Sequence, residues 1–236
     1  MTHAKPEFNV PDGSLEAMKW LALVLMTGDH INTYLLKGAM PMLYATGRIA
    51  FPLFAFVLAY NLARPGANIA YKRTSVRLTL FGAIAAVVFV APGLLGAHWL
   101  PLNIMFTFLA SIAIIALIAS DDRRRRLAGL VVFLGCGAVV DYYWTGIAIV
   151  VSMFWFLRTG QPWALMTWLV LHALALPLQG LLLYHAPLPY GIWSLGAVPL
   201  VVVFARYSFR VPRTRWLFYV YYPTHLLAIW AIGALS

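Results

Sequence analysis

Charge is scarce in this sequence and acid is scarcest: Asp and Glu number seven against 17 Lys and Arg, and charged side chains make up 10% of the 236 residues. Soluble domains carry about 25%. With 63% hydrophobic residues and a mean hydropathy of +0.83, the balance excludes an ordinary water-facing surface and reads as an integral membrane protein. Cysteine is nearly absent. The single thiol, Cys136, lies inside the apolar run LAGLVVFLGCGAVV, which rules out an intrachain disulfide and any cysteine-rich metal spacing. Also missing are a serine in a nucleophile elbow, GxGxxG, a Walker loop, HxxxH or a comparable histidine cluster, and paired carboxylates. Hydrolysis by those routes has no support, and no metal site is expected.

What is present is a series of apolar windows. Those long enough to cross a bilayer fall at 16–37, 40–63, 76–97, 101–120, 163–184 and 216–235, with shorter ones at 127–140, 143–157 and 190–206. The expectation is an all-α, polytopic transmembrane helix bundle of about nine helices, forming one domain over 16–236 behind a tail at 1–15. The tail holds Glu7, Asp12 and two prolines, and no small-residue cleavage pattern follows, so it does not read as a removable signal peptide. With the tail cytoplasmic, the cytoplasmic connections carry Arg64, Lys72, Arg73 and Arg77, then Arg123 to Arg126, then Arg158, then Arg206, Arg210, Arg213 and Arg215; the other side keeps Lys37. That asymmetry is the positive-inside pattern. It accounts for most of the net charge of +10 without nucleic acid, and it makes membrane lipid the first partner of the chain. Trp99, Tyr142, Tyr143, Trp144 and Tyr190 fall at outer span ends, where interfacial rings are favoured.

A few ionisable residues remain inside the spans. Asp29 and His30 lie just past the midpoint of the first, in LVLMTGDHINTYLL. Arg48 sits about seven residues into the second, roughly 10 Å below its outer end at 1.5 Å per residue, so the three share a depth. A charge at mid-helix costs roughly 2.5 to 3.5 kcal/mol on insertion scales, and such residues face the interior, pair up and mark function. Adjacent positions on a helix diverge by about 100°, so Asp29 is expected toward Arg48 while His30 projects into a cavity, flanked by Thr27 and Tyr34 one turn away. A purely structural Asp29–Arg48 ion pair is the plain alternative. Pro52 removes the helical partner of the Arg48 carbonyl and should kink the helix; Pro223 does the same to Tyr219, close to His225. Asn103 sits at the outer end of the fourth span. His172 lacks polar company and reads as structural, and His3, His98 and His185 fall in the tail or outer loops.

A histidine beside an arginine held by an acid suits acyl transfer to an amine or hydroxyl: the imidazole can act as general base while a cation or amide stabilises the oxyanion. The segments MKWLALVLMTGDHINTYLL, GRIAFPLFAFVLAYNLAR, NIMFTF, GIAIVV and FYVYYPTHLLA, in this order over most of the chain, resemble the TraX family of conjugative pilin N-acetylases. Through its first-helix histidine and a last helix carrying Tyr and His, that family resembles the acyltransferase-3 type membrane enzymes. The resemblance implies acetyl-CoA as donor, the N-terminal amine of a pilin as acceptor and the bacterial inner membrane as location. It makes Asp29, His30, Arg48 and Pro52 the motif positions, with Asn103 and His225 completing the site and Tyr34 and Tyr222 in support. Arg64, Lys72, Arg73 and Arg77 are the expected phosphate contacts for CoA. The loops are short and offer no obvious docking surface for a pilin. An O-acetyltransferase acting on a glycan and a proton-coupled transporter stay open as alternatives, as does the oligomeric state.

Overall fold

The computed structural model of the chain describes residues 9–90, 100–185 and 188–235. His3, His98 and Trp99 lie outside the described residues. Hydrophobic periods of helical length become α1 (Asp12–Tyr34), α2 (Pro41–Gly47), α3 (Ala50–Ala63), α4 (Asn68–Val90), α5 (Ile104–Ile118), α6 (Arg123–Gly137) and α7 (Tyr143–Thr159). There follow α8 (Pro162–Val170), α9 (Leu176–Tyr184), α10 (Leu188–Ile192), α11 (Ala197–Arg206) and α12 (Leu217–Leu235). Taking α2 with α3, α8 with α9 and α10 with α11, the described residues make nine helical rods and no strand.

Each interrupted rod breaks next to a proline. Pro52 has no N–H for the Arg48 carbonyl, and the chain between α2 and α3 tightens, with Arg48 N–H bonding Ala45 O at 3.2 Å and Ile49 N–H bonding Thr46 O at 3.1 Å. A π turn, Leu171–Ala175, joins α8 to α9 just before Pro177, and a 3₁₀ turn, Trp193–Gly196, joins α10 to α11 just before Pro199. Pro223 stays within a continuous α12.

Three of the described rods are long and apolar enough to cross a membrane: Pro41–Ala63, Pro162–Leu183 and Leu217–Leu235. α5 and α6 have 15 residues each, short of the about 20 that a full crossing takes. The burial pattern separates centre from rim. α3 is apolar on all sides and packs on α1 and α7, burying Leu53, Phe56, Leu62, Ile149, Val150 and Phe154 almost completely. The rim shows the reverse: Val87 on α4, Val131 on α6 and Leu174 in the π turn are each at least 65% exposed. An apolar rim of that extent would aggregate in water and is matched by lipid.

Two tethers shape the ends of the bundle. At one end Leu102 N–H bonds Val139 O and Asp141 N–H bonds Leu102 O, both at 2.7 Å, so the α6–α7 connection is drawn against the start of α5. At the other, buried Glu16 accepts the Thr214 N–H at 2.9 Å and the Thr214 hydroxyl, folding the α11–α12 connection over α1.

Candidate active site

Asp29 and His30, neighbours on α1, serve two different partners. Asp29 is buried and forms an ion pair with Arg48, which stands in the turn between α2 and α3. The Arg48 guanidinium lies over the Tyr44 ring, 4.3 Å from its centroid, an arrangement suited to a planar cation. Gly47 makes the approach possible. A Cβ there would stand 2.4 Å from the Asp29 Cβ, so only glycine lets α2 close on α1 at this level. One Asp29 oxygen, Oδ1, is buried with no hydrogen-bond partner among the described residues.

His30 faces α12. Its Nδ1 is 2.7 Å from Nε2 of His225, and the two rings meet edge to edge, 4° from parallel with centroids 5.0 Å apart. The other nitrogen of His225, Nδ1, is 2.8 Å from the Tyr221 carbonyl oxygen. A carbonyl only accepts, so Nδ1 of a neutral His225 carries the hydrogen and its Nε2 carries a lone pair. His30 must then donate from Nδ1. Its Nε2 is left as a lone pair with no partner among the described hydrogen bonds, which is the state a general base needs.

A third acid joins them from the α6–α7 connection. Asp141 is held by its backbone: its carbonyl accepts from Thr107 Oγ1 at 2.6 Å, and its Oδ1 accepts the Tyr142 N–H at 2.8 Å. Tyr142 and Tyr143 both adopt left-handed backbone, φ 56° and 47°, unusual for bulky residues and common where function sets geometry. Burial pushes the Asp141 carboxyl up to about 6, while the Tyr142 N–H and the Arg48 guanidinium act in the opposite direction. Tyr142 stacks on Phe51 of α3, ring centroids 4.2 Å apart.

One cavity of about 470 Å³ connects this site to the other end of the bundle. Asp29, His30, Asp141 and Tyr222 line one end, Phe51, Phe54, Leu58 and Met105 the middle, and Lys19, Arg64, Arg77, Arg213 and Arg215 the other end. Lys19 and His30 are eleven residues apart on α1, so the cavity is roughly 16 Å long at 1.5 Å per residue. Its cations differ in their commitments. Lys19 pairs with Glu16 and Arg64 with Asp12, both at 2.5 Å, and Arg77 donates to Arg215 O at 3.1 Å while lying over Trp216. Among the described residues Arg213 and Arg215 have no carboxylate partner.

The residues singled out in the sequence therefore separate. Asp29, His30, Arg48, His225 and Tyr222 come together, and Tyr34 stands beside His30 at 5.8 Å between ring centroids, but of these only Asp29, His30 and Tyr222 line the cavity described above; Arg48, His225 and Tyr34 pack behind them. Thr27 does not line the cavity; its hydroxyl meets the Tyr221 hydroxyl at 2.9 Å, so the stripe Thr27–His30–Tyr34 is largely a seam with α12. Asn103 is committed elsewhere: Oδ1 caps α5 through the Met105 N–H and Nδ2 donates to Gly82 O, and it is outside the cavity lining. Arg64 and Arg77 line the cavity, whereas Lys72 and Arg73 do not. His172 is fully buried, its Nδ1 on Trp168 O at 2.8 Å, away from the cavity. Sequence reasoning passes over Asp141, Tyr44, Lys19, Arg213 and Arg215 as site residues. Asp141 did carry a signal, as an acid inside VVDYYW where only the rings drew notice.

Comparison with known proteins identifies a family over most of the chain. The model of the family described as TraX protein matches residues 14–233. Protein TraX of Escherichia coli is 38% identical over 96 residues, which is 41% of this chain and 36% of that protein. An uncharacterized protein of Rickettsia prowazekii (strain Madrid E) is 32% identical over 72 residues, 30% of this chain and 25% of that protein. The matched stretches thus span about a third and a quarter of the length of these relatives. No solved structure matches.

Proposed function

The chain belongs to the TraX family, and from that premise we propose that it is a membrane-embedded acetyltransferase, moving acetyl from acetyl-CoA to the N-terminal amine of a conjugative pilin. In this reading all nine rods lie in the bacterial inner membrane as one domain, with the tail and the cationic mouth of the cavity on the cytoplasmic side. The observation that carries the reading is the cavity itself. It joins five cations at one end to an unprotonated His30 nitrogen at the other through an apolar neck. Acetyl-CoA has that layout: anionic phosphates, then a long slender arm, then a thioester. The nucleotide docks at Lys19, Arg64, Arg77, Arg213 and Arg215, and the arm threads the neck.

At the inner end the acceptor nitrogen attacks the thioester carbonyl as His30 Nε2 takes its proton. The new C–N bond forms, the C–S bond breaks, and the thiolate receives the proton from the same His30 nitrogen. Arg48 stands behind the cavity wall, held by Asp29 and Tyr44, and acts on the carbonyl oxygen through space as that oxygen gains negative charge. His225 accepts from His30 Nδ1–H throughout and shares the charge of the imidazolium.

The experiment is mass spectrometry of the resident pilin from cells carrying the intact gene, the His30→Ala gene or no gene, together with thiol release from acetyl-CoA by the purified protein. An added acetyl group at the pilin N-terminus only with the intact gene is the expected result. Thiol release without pilin acetylation would move the acceptor to a glycan hydroxyl. No thiol release with any acceptor would overturn acetyl transfer.

A further inference from the structure

The inner end of the cavity is charged in a way that acetyl transfer alone does not need. The Arg48 guanidinium is already neutralised by Asp29, and the two histidines bond to each other and to a carbonyl. Asp141 is therefore surplus. It lines the same cavity as Asp29 and His30, and it lies within electrostatic reach of Tyr34 and Tyr222, the two rings that flank His30. With Asp29, Arg48 and Asp141 ionised, that end holds one net negative charge in a desolvated setting, opposite a mouth of five cations. Its acceptors also outnumber its donors. Asp29 Oδ1 is buried with no donor, and Asp141 uses one oxygen on the Tyr142 N–H and keeps the other uncommitted among the described hydrogen bonds. A buried unpaired charge and an orphaned acceptor are both costly unless a ligand completes them.

We propose that Asp141, which lines the same cavity as Asp29, is a binding site for the ammonium form of a primary amine, and that it selects amine over hydroxyl acceptors. The inference rests on the acyl-transfer reading for its consequence, though the binding site itself does not. An amine arrives in its protonated form, which a carboxylate holds and a hydroxyl cannot imitate. The ammonium gives one proton to Asp141 and exposes its lone pair. That nitrogen forms the C–N bond as His30 Nε2 takes a second proton, which passes to the departing thiolate, and the third hydrogen stays on the amide. The proton on Asp141 leaves to solvent with the product, so each turnover yields one amide, one thiol and one free proton.

The backbone has already arranged the carboxylate for this task. Thr107 Oγ1, the Leu102 carbonyl and the Tyr142 N–H hold the Asp141 main chain and Oδ1, so the second oxygen is presented without further ordering. Asp141→Asn keeps an acceptor oxygen for the Tyr142 N–H, and the turn survives while the charge is removed.

The test uses full-length protein in lipid nanodiscs without acetyl-CoA. The probes are a synthetic apolar peptide with a free N-terminal glycine and its twin beginning with glycolic acid, which puts a hydroxyl where the amine was. Expected is about tenfold tighter binding of the amine peptide by the wild type, a gap that Asp141→Asn closes to within about threefold. A gap that persists in Asp141→Asn, or that never exists in the wild type, overturns the site. Acetyl-CoA is then added, and thiol release is read separately. Amine selectivity without thiol release supports the site and overturns acetyl transfer; thiol release with no amine selectivity overturns the site and leaves acetyl transfer standing.

Discussion

His30 and His225 lie edge to edge with their rings nearly parallel and Nδ1 and Nε2 2.7 Å apart, and the direction of that hydrogen bond follows from the carbonyl on the far side of His225. The pair differs from the usual base and carboxylate orienter in being uncharged at rest. In a low-dielectric interior this avoids burying a second acid, and it still fixes which His30 nitrogen is free.

Replacing His225 tests that role. His225→Gln keeps an acceptor for His30 Nδ1–H and a donor for the Tyr221 carbonyl, and acetyl transfer is expected within about tenfold of wild type. His225→Leu removes both and should lower kcat by about a hundredfold with KM for acetyl-CoA unchanged. Steady-state kinetics on the two variants decide it; equal loss in both would assign His225 to packing alone.

Gly47→Ala drives a methyl group into Asp29 Cβ and Cγ. Overpacking at a closed helix contact costs about 1–3 kcal/mol, and here it also parts α2 from α1 at the ion pair. A lowered thermal midpoint together with lost activity is expected. Wild-type behaviour would mean that α2 can shift without disturbing Arg48.

Arg48→Ala leaves Asp29 as an uncompensated buried carboxylate, a loss of about 3–5 kcal/mol. Adding Asp29→Asn should recover much of that stability while leaving the enzyme inactive. Arg48→Lys is expected to fold but to turn over slowly, because an ammonium lacks the planar face that lies over Tyr44. Denaturation midpoints and thiol release, measured on all three, separate holding the fold from assisting the reaction.

At the cationic mouth, Arg213→Ala with Arg215→Ala should raise KM for acetyl-CoA by about five- to tenfold and leave kcat intact, with the effect shrinking as salt rises. Lys72→Ala with Arg73→Ala, outside the cavity lining, should change it by less than about twofold. The reverse ranking would put the phosphates on the first turns of α4, where Lys72 and Arg73 stand.

The rods were legible in the residue order, because apolar runs act locally, and so was the break beside Pro52; the breaks beside Pro177 and Pro199 were not foreseen, and Pro223, where a kink was expected, stays inside a continuous α12. The Asp29–Arg48 pair was legible too, since two charges at one depth in hydrocarbon have few choices. The His30–His225 hydrogen bond was not, because it depends on α1 and α12 packing side by side, which no local pattern encodes. Asp141 was hidden for a related reason. Two backbone hydrogen bonds between Leu102 and the α6–α7 connection carry it inward, and main-chain pairing of that kind leaves no mark on side-chain type. The mouth followed the same rule: the Glu16–Thr214 clasp, not the positive-inside count, decides which arginines border the cavity.

The two histidines are separated by 195 positions, one on α1 and one on α12. During synthesis His30 is therefore in the membrane well before its partner exists, with neither tautomer imposed on it and no wall of α12 to close its side of the cavity. The bundle assembles around an unfinished site. The tautomer that frees His30 Nε2 is set only once α12 docks on α1, so a chain in which that docking fails keeps the histidine and loses its direction.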